Sequence, residues 1–276
     1  MADPRVIELG FAVRPRDVAA VSARLFAAGA GAVEEREGPT LVVWVESESA
    51  AKALICAAGV EVTRRALDPS WQTEWLRHLG PVALTQRIVL QPTGNATKVP
   101  RGKRRLWFAP DQAFGDGSHA TTRLAARATE RLCRELSPAR VLDVGTGNGV
   151  LALVAAISCR GRVLGLDVDP AALGAARKNA TKNRLSDRCK FSRRPLAQVR
   201  GRFDLVLANI EAWVLLELAG DLARVTAPAG HLVLSGLLCE RGDELLARLR
   251  AEGLSEVGRD EEDGWLGLVL RPSARA

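Results

Sequence analysis

A glycine-rich turn between a strand and a helix is the sharpest chemical feature of this 276-residue sequence. Residues 141–149 read VLDVGTGNG, so an apolar strand runs into Gly145, Gly147 and Gly149 before the next helix begins. Glycine lets the backbone turn sharply and approach a ligand without a Cβ in the way. The helix N-terminus that follows offers free N–H groups and a partial positive charge. The turn therefore predicts a site for a nucleotide-like ligand.

An acidic residue at the end of the next strand predicts the sugar-binding part of the same site. The segment GLDVDP ends that strand with Asp167, whose carboxylate can accept hydrogen bonds from both hydroxyl groups of a ribose. The GxGxG spacing, with Asp143 two residues before the first glycine, differs from the GxGxxG spacing of dinucleotide-binding proteins. The glycine-rich turn also lacks the phosphate-binding lysine and serine of a P-loop. The structural alternative is a tight strand–helix turn with a solvated aspartate.

Two polar residues follow a later strand, FDLVLA, and are predicted to reach the same edge of the sheet. Chemistry in open α/β sheets lies at the carboxyl ends of the strands. There the side-chain carbonyl of Asn209 can accept N–H bonds from a substrate amine and orient its lone pair. The alternative for Asn209 is a helix N-cap. Glu211 can hold an ammonium ion, or it is simply an acidic residue that the dipole favours in the first helical turn.

The segment 113–122, AFGDGSHATT, predicts a loop that covers a ligand and leads into a helix. Thr121 or Thr122 is expected to cap that helix. His119 is either a general base or, as is more usual for a histidine in a loop, a structural residue.

Apolar strands alternate with helices from residue 106 onward, which predicts an α/β fold with a doubly wound, mostly parallel sheet of seven strands. The last two strands, 255–259 and 265–270, are joined by an acidic turn too short for a crossover helix, so they form a terminal antiparallel hairpin. Six earlier strand patterns, one more than a sheet of seven needs beside the hairpin, lie at 106–109, 141–144, 163–167, 190–192, 205–208 and 232–235. The helices are expected at 122–136, 150–157, 170–183, 213–225 and 240–251.

The first 66 residues predict a separate small α+β domain. Their strand and helix patterns follow the order βαββαβ of a ferredoxin-like sandwich. Residues 68–79, DPSWQTEWLRHL, predict a helix that connects this domain to the next. We therefore divide the chain into a domain at 1–66, a linker helix and connector at 67–90 and a larger domain at 91–276.

Composition narrows the class of protein. No apolar run approaches the roughly 20 residues needed to span a membrane, and the N-terminus lacks the layout of a secretory signal. The five cysteines form no CxxC pair, which predicts reduced thiols and no metal site. We expect a monomeric, cytoplasmic protein. Residues 1–66 carry 8 basic and 9 acidic residues, which leaves +8 on the remainder. Its basic clusters at 98–105 and 177–202 either approach RNA or form an ordinary solvated surface.

Together the motifs resemble those of the class I S-adenosylmethionine-dependent methyltransferases, and more specifically the ribosomal protein L-eleven methyltransferase family (PrmA). The resemblance covers roughly residues 70–270 and lies in five segments that occur in this order: AFGDGSHATTRLA, VLDVGTGNGVLALVAA, GLDVDPAALGAARKNATKN, FDLVLANIEA and GHLVLSGLL. It implies a two-domain enzyme with S-adenosylmethionine as cofactor. The N-terminal domain would bind a ribosomal protein, and lysine side chains and the N-terminal amine of that protein would be methylated.

The resemblance also assigns site residues. By alignment of the motifs, Thr122, Gly145, Asp167 and Asn209 fall on cofactor-binding positions of the family. The full predicted cofactor-binding set is Thr122, Asp143, Gly145, Gly147, Asp167, Val168 and Asn209, and the predicted catalytic residues are Asn209 and Glu211.

The sequence departs from the family pattern at Asp116, Ser118 and Ala120, where the family has Thr, Thr and Pro, and at Glu211, where it has an apolar residue. These departures leave methyl transfer intact but leave the protein substrate open. One alternative is a lysine methyltransferase for another protein, such as an electron-transfer flavoprotein subunit. A nucleic-acid amino-methyltransferase would flip a base into the Asn209 pocket, but residues 210–212 lack the aromatic that stacks on it. A non-catalytic, cofactor-binding assembly protein is the alternative from a different class.

Overall fold

The computed structural model describes residues 6–30, 33–36, 40–45, 47–67, 80–93, 97–109 and 119–273. The chain divides into two compact units, Met1–His78 and Leu79–Ala276. The predicted linker helix at 68–79 lies outside the described residues. So does most of the predicted loop at 113–122, including Asp116 and Ser118.

The first unit is an antiparallel sheet of four strands packed against two helices. The sheet order β2-β3-β1-β4, with β1 antiparallel to β3 and β4, is the predicted ferredoxin-like arrangement. Alternate residues of the first strand, including Leu9 and Phe11, form its core with Leu25 and Leu54 of the helices. The strands are β1 (Val6–Ala12), β2 (Glu34–Arg36), β3 (Thr40–Val45) and β4 (Val62–Leu67), and the helices are α1 (Val18–Ala27), after a 3-10 turn at Pro15–Asp17, and α2 (Glu48–Ala58).

A three-stranded sheet opens the second unit, formed by β5 (Val82–Ala83), β6 (Ile88–Pro92) and β7 (Arg104–Phe108). The sequence predicts strands near 88–91 and 106–109 but not that they pair with each other. The strand near 106–109 therefore lies outside the seven-stranded sheet. Asn183 holds it, because its Oδ1 accepts the Trp107 N–H at 2.8 Å and its Nδ2 donates to the Trp107 carbonyl oxygen at 2.6 Å.

The seven-stranded sheet carries the order β10-β9-β8-β11-β12-β14-β13. Its first five strands are parallel, and β14 is antiparallel to both of its neighbours, so the predicted terminal hairpin is confirmed. The strands are β8 (Arg140–Val144), β9 (Arg162–Leu166), β10 (Cys189–Ser192), β11 (Phe203–Asn209), β12 (Thr226–Leu238), β13 (Leu254–Glu262) and β14 (Trp265–Pro272). The helices are α3 (Ala120–Leu136), α4 (Val150–Ser158), α5 (Pro170–Lys182), α6 (Ala212–Val225) and α7 (Gly242–Ala251), with 3-10 turns at Leu196–Gln198 and Cys239–Arg241.

Hydrophobic side chains cover this sheet on both faces, which confirms the doubly wound α/β fold. Alternate residues of a strand point to opposite faces, so Leu205 and Leu207 join one core cluster with helices α3 and α4. Val206 joins a second cluster with Leu215 of α6 and Leu245 of α7. The central strands are consequently apolar on both sides, as expected for buried parallel strands.

In the described part of the chain, no helix is both long and apolar enough to cross a membrane. The same residues contain no group of three or more His, Cys, Asp or Glu side chains arranged to hold a metal ion.

Candidate active site

Three neighbouring parallel strands end level with one another and bring the predicted site residues together. The last residue of β8 lies opposite the last residue of β9 and next to the penultimate residue of β11 in the sheet register. The residues that come next, Gly145, Asp167 and Asn209, therefore share one edge of the sheet. Asn209 itself is still within β11, where it pairs with Ser235 of β12. This edge is the carboxyl end of the sheet, where ligands of such folds bind.

The turn after β8 takes the backbone conformation that glycine permits. Gly145, Gly147 and Gly149 have φ values of +68°, +53° and +86°, a region that residues with a Cβ rarely adopt. A Cβ on Gly145 would also overlap Cγ2 of Ile210. The turn is therefore packed directly against the residue that follows Asn209, and a larger residue at 145 would disturb both.

Asp167 is held in a fixed orientation by two backbone donors. Its Oδ2 accepts the Gly147 N–H at 2.8 Å, and its Oδ1 accepts the Asp169 N–H at 3.0 Å. Because a carboxylate oxygen has two lone pairs, each oxygen keeps an acceptor site beyond these bonds. Val168 follows at the same edge with 81% of its surface exposed. These two residues offer a fixed acceptor pair beside an accessible apolar surface, which fits a ribose and its attached base.

Asp143 lies beneath the glycine turn, where 1% of its surface is exposed. Its Oδ2 accepts the Thr146 hydroxyl at 2.6 Å and the Ala152 N–H at 3.1 Å. Its Oδ1 is buried and has no hydrogen-bond partner among the described residues. Burial raises the pKa of this carboxyl from 3.8 to about 6, although the Thr146 hydrogen bond opposes the shift. The geometry shows how Asp143 fixes the turn, and its contact with a cofactor stays a prediction.

Asn209 presents an unpartnered acceptor at the same edge. Its Nδ2 donates to the Thr122 hydroxyl at 3.5 Å, and its Oδ1 is buried without a partner among the residues described. An unsatisfied buried acceptor costs about 1–3 kcal/mol, so such an atom calls for a ligand donor. Asn209 is not the N-cap of the following helix, because the chain continues as a strand through Asn209 and the cap position falls on Glu211.

Glu211 occupies the N-cap of α6, but its side chain does not cap the helix. Its Oε2 instead accepts a hydrogen bond from the indole Nε1 of Trp213. Both side chains are exposed, Trp213 to 56% of its surface. The carboxylate is thus held in the solvent-facing part of this edge, two residues after Asn209.

His119, rather than Thr121 or Thr122, caps helix α3, so the predicted cap is wrong by two or three residues. The His119 Nδ1 lies 2.8 Å from the Thr121 hydroxyl and accepts the Thr121 N–H at 3.4 Å. Its ring packs edge-on against Trp265 at a centroid distance of 4.7 Å. Both threonines are buried within the first helical turn instead. Of the two interpretations of His119, these contacts support the structural one.

Gly236 packs against the backbone that follows Asn209, a contact that the sequence interpretation missed. It has a φ of +89°, and a Cβ there would overlap the carbonyl oxygen of Ile210. The strand β12 is irregular between Leu234 and Leu237, so the glycine lets the backbone after Asn209 approach closely. The glycine within GHLVLSGLL was the available signal, since an isolated glycine in a strand indicates a bulge or a close backbone approach.

The sheet order, the terminal hairpin, the glycine turn and the carboxylate after β9 define a class I S-adenosylmethionine-dependent methyltransferase. A family model described as "Ribosomal protein L11 methyltransferase (PrmA)" matches residues 41–273. Among the relatives, a ribosomal protein L11 methyltransferase of Geobacter sulfurreducens is 41% identical over 74% of this chain and 67% of its own length. One of Sorangium cellulosum is 37% identical over 83% of this chain and 78% of its own length.

A solved structure supports the same assignment. The ribosomal protein L11 methylase of Lactobacillus delbrueckii subsp. bulgaricus is 28% identical with a TM-score of 0.66, over 71% of this chain and 100% of that chain. The chain belongs to the ribosomal protein L11 methyltransferase (PrmA) family. It is an S-adenosylmethionine-dependent protein methyltransferase, which confirms the predicted resemblance, fold and cofactor. The individual site residues remain predictions.

Proposed function

We propose that this protein transfers methyl groups from S-adenosylmethionine to amino groups of ribosomal protein L11, on lysine side chains, the N-terminal amine or both. The observation behind the proposal is the buried Oδ1 of Asn209, an acceptor without a partner among the described residues, beside the glycine turn. An acceptor in that position suits an amine N–H. The choice of protein rests on the names of the relatives, which are ribosomal protein L11 methyltransferases.

The residues around the turn suit the cofactor in distinct ways. Asp167 would bind the ribose hydroxyls with the lone pairs that Gly147 and Asp169 leave free. Gly145 and Gly147 would let the backbone approach the ligand, and the exposed Val168 would contact the base. Asp143 and Thr122 would position the turn and Asn209 from behind. When bound, S-adenosylmethionine supplies an electrophilic methyl group on its sulfonium sulfur.

Asn209 would select and aim the neutral amine. A lysine has an ordinary pKa of about 10.4, so most of it is protonated and unreactive at neutral pH. Transfer from water into the buried surroundings of Asn209 disfavours the charged form. An N–H bond to Oδ1 then fixes the direction of the nitrogen lone pair, which is the main requirement for an in-line transfer. Glu211, in its exposed position, would receive the ammonium form before its proton is lost to solvent.

The domain at 1–66 would bind the substrate protein, and the domain at 91–276 would bind the cofactor and the amine. The segment 67–90 would connect these two domains. The protein would act as a cytoplasmic monomer. The basic clusters at 98–105 and 177–202 would approach RNA when L11 is presented with its ribosomal neighbours.

Replacing Asn209 with alanine tests the amine site. We expect single-turnover methyl transfer to purified L11 to slow by about 100-fold, the size of effect that lost alignment of a reacting group produces. Titration calorimetry with S-adenosylhomocysteine checks the cofactor site separately, and thermal unfolding checks the fold. Transfer at the wild-type rate by Asn209→Ala would contradict the proposed amine alignment.

A further inference from the structure

The indole of Trp213 lies in the first turn of helix α6, four residues after Asn209, and is not among the buried residues of that helix. The buried residues of that helix are Leu215, Ala219, Leu222 and Val225, while 56% of the Trp213 surface faces solvent. A single exposed apolar residue is ordinary on a protein surface. Trp213 differs because its N–H is already used to hold the carboxylate of Glu211.

The hydrogen bond between these two residues orients a carboxylate that would otherwise be free to cap the helix. The free N–H groups at a helix N-terminus favour a nearby negative charge, but the Glu211 side chain makes no capping hydrogen bond. It lies against the indole in the exposed part of the edge. A carboxylate is therefore hydrogen-bonded to an exposed indole, and both residues lie within four positions of Asn209 along the chain.

We propose that Trp213 is a specificity-determining residue that binds the substrate lysine through its indole face and orients Glu211 towards the ammonium group. The inference rests on the proposed function of Asn209 as the amine acceptor. The chemistry favours a lysine over other side chains. Its long apolar stem packs on an aromatic surface while its charged end reaches a polar group, an ammonium over an indole face is attractive, and its hydrogen bond to a carboxylate is charge-assisted.

The occupant of this surface is consequently a lysine side chain of the protein substrate rather than an acidic or purely apolar segment. Glu211 supplies the complementary charge, and its hydrogen bond to the indole N–H holds that carboxylate in the exposed part of the edge. The ammonium group of the lysine would meet Trp213 and Glu211 first, and it would lose a proton to solvent before its nitrogen reaches Asn209.

The experiment compares two ligands that differ only in the lysine portion. One is S-adenosylhomocysteine, and the other is a bisubstrate analogue that keeps its adenosyl and amino-acid parts and carries a lysine side chain in the place of the transferable methyl group. Trp213→Ala should weaken binding of the bisubstrate analogue about tenfold, as expected for an aromatic anchor, and leave the affinity for S-adenosylhomocysteine unchanged. Trp213→Phe keeps the aromatic face but loses the N–H, so we expect an intermediate loss.

The matched control is Val257→Ala, which truncates an apolar residue on strand β13 with a similar exposure of 52%. In kinetics with L11, Trp213→Ala should raise KM and leave kcat nearly unchanged. Equal affinity of Trp213→Ala and Val257→Ala for the bisubstrate analogue would overturn the inference, and so would a wild-type protein that binds both ligands equally. If the wild type fails to methylate L11 but the bisubstrate results hold, the proposed substrate is wrong and the role of Trp213 stands.

Discussion

Replacing Asp167 with asparagine should weaken cofactor binding while the fold remains intact. The carboxylate accepts the Gly147 N–H at 2.8 Å and the Asp169 N–H at 3.0 Å. An amide has the same shape, but one of its two ends is a donor and would face an N–H group. Each hydrogen bond to a charged acceptor is worth about 1.5–3 kcal/mol. Asparagine would offer the two ribose hydroxyls a neutral acceptor instead of a charged one. We therefore expect the binding free energy to weaken by about 3 kcal/mol, which raises Kd roughly 100-fold.

Isothermal titration calorimetry with S-adenosylhomocysteine measures this loss, and the neighbouring carboxylate of Asp169 provides the matched control. Asp169 caps helix α5, because its side chain accepts the Ala171 N–H at 2.8 Å and the Ala172 N–H at 3.3 Å. Asp169→Ala should lower the free energy of unfolding by about 1 kcal/mol, the usual value of such a cap, and leave Kd nearly unchanged. Two outcomes would refute the reasoning about the ribose: wild-type affinity in Asp167→Asn, or an equal loss of affinity in both variants.

Two further predictions concern the turn and the backbone that packs against it. Gly236→Ala should destabilise the protein by about 2 kcal/mol or more and reduce methyl transfer, because it adds a clash with the Ile210 carbonyl to the strain of a φ of +89°. Gly253→Ala has a φ of +78° with open space around it, so it should show the backbone strain alone and full activity. Asp143 has a pKa of about 6 in the folded protein against an ordinary 3.8. Its contribution to the free energy of unfolding is therefore fully present below the ordinary pKa and is lost as pH rises through the folded pKa. At about pH 7 that loss amounts to about 3 kcal/mol. In urea unfolding between about pH 4 and about pH 7, the free energy of unfolding of Asp143→Asn should therefore rise relative to that of the wild type as pH rises. A difference between the two proteins that does not change with pH would contradict the raised pKa of Asp143.

Residues whose roles follow from the local chain were predictable from the sequence. Gly145 and Asp167 directly follow apolar strands, and Asn209 lies at the end of another. Parallel strands with helical connections must end at the same edge. The sequence therefore predicts that these three residues lie together, and the strand register agrees.

Contacts between distant segments were not predictable in the same way. Gly236 meets Ile210 only because β12 pairs with β11 and is irregular there. His119 caps its helix with its ring packed on Trp265, which comes from the terminal hairpin. Such contacts depend on tertiary packing, which overrides the local preference for a threonine cap.

The substrate assignment is tested by mass spectrometry of purified ribosomal protein L11 incubated with this enzyme and methyl-labelled S-adenosylmethionine. We expect labelled methyl groups at lysine side chains, at the N-terminal amine or at both, with a far slower gain when Asn209→Ala is used. The absence of any labelled methyl group on L11, from enzyme whose binding of S-adenosylhomocysteine is intact, would contradict the proposal and point to another protein as the substrate.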